Sequence, residues 1–107
     1  MNDSVLSRII RIIIDAVDPD SIILFGSRAT EKSHDDSDYD ICVIKSGISE
    51  RRKISMQLYQ LLWEVDVPVD ILVETPESFN KNKTNPHLIY KDIAQTGKVL
   101  YEKPKYC

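Results

Sequence analysis

The chain has 107 residues, of which 42% are hydrophobic and 29% charged, with a formal net charge of −3. That length suits one domain with a real core, spanning 1–107, and the composition is that of a soluble globular protein. The acidic balance excludes an extended nucleic-acid surface, which needs a strong excess of Lys and Arg, yet it leaves room for a phosphate ligand accompanied by a divalent cation.

Residues 4–17 carry apolar side chains at 5, 6, 9, 10, 13, 16 and 17, the stripe of an amphipathic helix. Asn2, Asp3 or Ser4 can cap it, and Pro19 ends it by disfavouring helix at Asp18. The longest pure apolar string here is Ile12 to Ile14, so neither a signal peptide nor a membrane span is expected. "SIILF" (21–25) reads as a buried strand, and "GSRAT" as a turn with room for one helical turn. "YDICVIK" (39–45) is the second strand, and "SGISE" breaks the chain after it.

A helix over 50–64 aligns Ile54, Leu58, Leu61, Leu62 and Val65 on one face. Tyr59 and Trp63 fall off that stripe, which makes them either partner-facing or partly buried. Pro68 precedes a third strand, "VDILV" (69–73); Thr75 then reads as an N-cap with Pro76 in the first helical position. "NKNKTNP" is a polar linker, His87 starts a helix over 87–96 that Gly97 ends, and "KVLYE" is a short closing strand. Strands alternating with helices give an α/β (α+β) fold, a small mixed central sheet with helices packed on it. Cys42 in a core strand and Cys107 at the last position cannot form a disulfide framework and suit a reducing cytoplasm.

Each of the three strands carries a notable residue near one end: Gly26-Ser27, Asp38 with Asp40, and Asp70. Strand alternation points Asp38 and Asp40 to one face with Cα atoms roughly 6.5–7 Å apart, and two carboxylates so placed repel unless a cation lies between them. One or two Mg²⁺ ions with oxygen ligands resolve that repulsion, with Asp70 as a third ligand. Gly26 lets a phosphate approach the backbone, Ser27 offers a hydroxyl and an N–H, and Arg28 a planar fork for phosphate oxygens. A calcium loop aligned on Asp36, Asp38 and Asp40 fails, because Ile41 falls where Gly belongs and Gly47 where the bidentate Glu belongs. No Gly-Lys-Ser/Thr follows, so a Walker-type loop fails too. Asp35 and Asp36 read as a solvated acidic loop, and His34 as a surface residue.

"GSRATEKSHDDSDYD", a Gly-Ser followed after ten residues by Asp-x-Asp, resembles the signature of the polymerase-beta-like nucleotidyltransferase superfamily. Size and the "VDILV" strand make it similar to the minimal nucleotidyltransferase (MNT) branch. The resemblance implies Asp38 and Asp40 as metal ligands, Asp70 as a third carboxylate that helps deprotonate an acceptor hydroxyl, and Gly26 and Ser27 as holders of the β- and γ-phosphates. It also implies Mg²⁺-dependent transfer of a nucleoside monophosphate, AMP from ATP, to a hydroxyl. Members of the branch are often antitoxins of HEPN-type toxins, so a toxin tyrosine is an implied acceptor and a toxin or a second copy an implied partner. Related sequences commonly read "GSxARG", whereas this chain has Thr30-Glu31 there. The competing reading is a non-catalytic antitoxin that neutralises its partner by contact.

Overall fold

The computed structural model describes residues 4–30 and 38–104. Helix α1 (Ser4–Val17) leads into strand β1 (Ser21–Phe25), and a 3₁₀ turn (Ser27–Ala29) follows. Strand β2 (Tyr39–Ile44) precedes helix α2 (Arg51–Leu62), which a 3₁₀ turn extends (Trp63–Val65). Strand β3 (Val69–Glu74), helices α3 (Pro76–Asn82) and α4 (Ile89–Thr96) and strand β4 (Lys98–Glu102) complete the chain. Glu31, His34, Asp35, Asp36 and Cys107 lie outside the described residues.

The strands form one mixed sheet in the order β3-β2-β1-β4, with β1 antiparallel to both β2 and β4, and β2 parallel to β3. A parallel pair needs a crossover, and α2 supplies it. Alternation along the strands sorts the core into two layers. Ile22 and Leu24 of β1 with Tyr39, Ile41 and Val43 of β2 meet Ile9, Ile13 and Val17 of α1 and Leu58 and Leu62 of α2. Ile23, Cys42 and Ile44 face the other way, onto Ile93 and Tyr90 of α4 and Phe79 of α3. Ile9, Ile13, Ile22, Ile41 and Leu58 are fully buried, each contributing about 1.5–3 kcal/mol by leaving water.

The elements end where local chemistry stops them. Asp18 takes a positive φ of 49°, and its N–H closes α1 on the Ile14 carbonyl, because Pro19 forbids a further helical turn. The Thr75 side chain accepts from the Ser78 N–H at 3.2 Å, with Pro76 next in line, the cap read from the sequence. Three expectations change. Leu61 is 41% exposed and sits off the buried stripe of Leu58, Leu62 and Val65. Helix α3 runs on through Asn80 to Asn82, where the Asn82 amide donates to the Ser78 carbonyl, so the polar linker is shorter than expected. His87 precedes α4, its N–H held by Asn85 Oδ1 at 2.9 Å in a local turn that competes with helix.

Trp63 is 87% exposed, so of the two readings for it partial burial is excluded. Tyr59 is half-exposed, and its hydroxyl accepts the Ile71 N–H at 2.9 Å on the outer edge of β3. Cys42 is buried in β2, and that burial, with the nearby Glu74 charge, pushes its thiol up to about 12. Thiolate is the reactive form. A Cys107→Ser chain should therefore show no thiol reactive toward a disulfide reagent at pH 8 until denaturant is added; immediate labelling would contradict the packing of β2.

Candidate active site

Gly26 stands directly after β1, at φ +76° and ψ −157°, a backbone region essentially confined to glycine. A Cβ built on it would lie 2.2 Å from Oδ2 of Asp40, so the carboxylate occupies the place a side chain would take. Register brings these groups together. Phe25 faces Asp40 across the β1–β2 pair, and Asp40 faces Asp70 across the β2–β3 pair. Asp40 is partly buried, while Asp70 is exposed at the sheet edge.

Asp38 directly precedes β2, which begins at Tyr39 as the sequence indicated, and is exposed. Its charge reaches Asp40. Burial, then the charges of Asp70 and Asp38 and a hydrogen bond with Asp70, raises the Asp40 carboxyl above its ordinary value of 3.8. Among the described residues no three acidic, His or Cys side chains converge in metal-ligand geometry. The donor chemistry nonetheless fits a hard cation: carboxylate oxygens alone, with mutual repulsion that a cation would relieve.

Ser27 opens the 3₁₀ turn, in which the Ala29 N–H donates to the Gly26 carbonyl and the Thr30 hydroxyl and N–H both donate to the Ser27 carbonyl at 3.2 Å. Among the described residues no side chain caps the turn. Arg28 does not extend into open solvent; its guanidinium carbon stacks 3.9 Å above the ring of buried Tyr39, a cation–π contact that fixes the charge beside the Gly26 turn.

Helix α4 supplies what the sequence did not indicate. A groove of about 460 Å³ has Phe25, Gly26 and Asp40 on one side and Ile89, Asp92 and Thr96 on the other. The helix is held there from behind. Glu74, at the far end of β3 from Asp70, is 1% exposed, and its carboxylate accepts from Arg51 at 2.6 Å, the Thr75 N–H at 2.9 Å and the Tyr90 hydroxyl at 2.5 Å. Burial alone would raise the Glu74 carboxyl, but these hydrogen bonds and the Arg51 charge lower it instead. The Tyr90 ring also packs edge-on to Phe79, with centroids 5.8 Å apart.

A model of the polymerase beta nucleotidyltransferase family matches residues 7–106. The chain belongs to that family. Among curated proteins there is no significant match. Among solved structures, a protein from Sulfolobus solfataricus assigned as a nucleotidyltransferase is 18% identical at a TM-score of 0.66, over 94% of this chain and 79% of that one. An MNT antitoxin complex with a tri-AMPylated HEPN toxin from Shewanella oneidensis is 20% identical at a TM-score of 0.65, over 96% and 74%. A toxin–antitoxin structure with AMP-PNP is 20% identical at a TM-score of 0.59, over 96% and 75%. At these identities the likeness is one of fold, the mixed sheet and helices of the nucleotidyltransferase. No helix among the described residues is long and apolar enough to cross a membrane.

Proposed function

We propose that residues 1–107 act as one minimal nucleotidyltransferase domain, moving AMP from ATP to a hydroxyl on a partner protein in the cytoplasm. The observation that carries this reading is the contact of Gly26 with Asp40, which sets the turn suited to phosphate against two carboxylates paired in register, Asp40 and Asp70. Gly26 and Ser27 would hold the β- and γ-phosphates through their backbone, with Arg28 as a nearby fixed cation. Asp38, Asp40 and Asp70 would hold Mg²⁺, two ions in the usual arrangement for this chemistry. When bound, such ions supply charge to the attacking and leaving oxygens of an in-line displacement. Asp70, exposed at the sheet edge, is the carboxylate open to an incoming hydroxyl and would take its proton. In the transfer a new P–O bond to the acceptor forms at the α-phosphorus, and pyrophosphate leaves as the old one breaks.

The partner is a protein in this reading, a HEPN-type toxin with a tyrosine acceptor, and the chain its antitoxin. The AMPylated-toxin complex among the fold's neighbours supports that choice, and the AMP-PNP complex supports ATP as donor.

Calorimetric titration with ATP and Mg²⁺ tests the site. Wild type should bind with Mg²⁺ present, and D38A/D40A should bind at least 100-fold more weakly while keeping its circular dichroism. Equal binding by the variant would remove Asp38 and Asp40 from the site and leave neutralisation by contact as the function.

A further inference from the structure

We infer that α4 is the nucleoside wall of this site: Ile89 is an apolar platform for the base, and Asp92 accepts a hydrogen bond from a nucleoside donor, a ribose hydroxyl or an exocyclic amine. The inference rests on the nucleotidyltransferase reading of Gly26 and Asp40.

Three observations carry it. First, Gly26 and Asp40 open into the same groove as Ile89, Asp92 and Thr96, and its volume of about 460 Å³ is that of a small-molecule site. Second, Ile89, Asp92 and Thr96 are spaced i, i+3 and i+7, so they share one face of α4 and form a continuous strip along the groove. On that strip Ile89 is 49% exposed, an apolar surface available to a flat ring. Thr96 is already engaged, donating to the Asp92 carbonyl at 2.9 Å. Third, charge assigns the ends of the nucleotide. The Gly26–Ser27 turn offers N–H groups with Arg28 beside it, and the Asp40 carboxylate on that side is one that Mg²⁺ would neutralise in the proposed reading. The α4 wall instead offers the Asp92 carboxylate, which that reading assigns to no ion. Such a carboxylate repels a phosphate tail and suits the portion of the nucleotide that carries donors. The triphosphate therefore lies toward the turn, and the nucleoside toward α4.

Tripolyphosphate separates the two portions, because it presents the phosphates without the nucleoside. Wild type, Ile89→Ala and Asp92→Ala would be titrated calorimetrically with Mg²⁺ and either ATP or tripolyphosphate. Both side chains stand at the surface, so the variants should melt within a few degrees of wild type. Each substitution should weaken ATP binding about five- to tenfold and leave tripolyphosphate binding unchanged. With 2′-deoxyATP, loss of the Asp92→Ala effect identifies the 2′-hydroxyl as the donor, and its persistence identifies another nucleoside donor; either supports the assignment. Equal weakening of both ligands, or of neither, overturns it. A wild type that binds tripolyphosphate as tightly as ATP overturns the α4 assignment alone. A wild type that binds neither overturns the parent reading, and this inference with it.

Discussion

Replacing Gly26 by Ala should abolish measurable Mg²⁺-ATP binding and lower the melting temperature. Two effects act at one atom. The backbone at φ +76° and ψ −157° lies where an L side chain costs about 1–3 kcal/mol. The added methyl would also stand 2.2 Å from Asp40 Oδ2, far inside van der Waals contact, so the carboxylate must rotate away from the place it holds against the turn. Strain and clash together should lower the melting temperature by roughly 4–20 °C. Gly47 is the control. It has nearly the same φ, +75°, but a methyl added there would meet no described atom within 4 Å, so Gly47→Ala should share the loss of stability without the loss of binding. If both variants bind ATP like wild type, the Gly26–Asp40 contact has no part in the site.

Glu74→Ala should destabilise the protein by about 2–3 kcal/mol, because it strands the Tyr90 hydroxyl and the Thr75 N–H and opens a cavity under α4. The larger penalty usual for breaking a buried ion pair does not apply in full, since the Arg51 side chain is 53% exposed and water can solvate it. Glu74→Gln isolates the charge, because the amide oxygen can still accept. The Glu74 carboxyl titrates below its ordinary value of 4.5 in the folded chain, so its charge stabilises fully above that value. The contribution disappears as the pH falls through the lower folded value. Wild type should melt above Glu74→Gln at pH 7, and the gap should close toward pH 3. A gap that holds constant or widens on acidification would show that the carboxylate is not the stabilising form.

The strands and the acidic residues were legible because they depend on short-range signals. "SIILF" and "KVLYE" form strands with the expected bounds, since an apolar or alternating run bounded by turn residues has few other conformations. The meeting of Asp40 with Asp70 followed from their both standing near the start of a strand, and parallel register then paired them. Strand β2 likewise begins at Tyr39 as expected, with Asp38 just before it and close enough for its charge to act on Asp40. The role of α4 in the groove was hidden. Ile89 and Asp92 reach Gly26 only because β4 returns antiparallel beside β1 and seats the helix over it, a choice of strand order no local pattern encodes. Glu74 was hidden too, since a lone Glu at a strand end usually faces water, and its three donors come from distant parts of the chain or from the next residue's backbone.

The bond between Tyr59 and Ile71 has a consequence for how this molecule behaves among other chains. Among the described strands none lies against the outer edge of β3, and such an edge accepts any extended segment that offers backbone partners. Tyr59 takes the donor one residue beyond Asp70, so a foreign strand cannot zip along β3 without first displacing the phenol. The edge is thereby guarded against templated aggregation right beside Asp70, which keeps the access to solvent that its proposed role requires while its strand is closed to strangers.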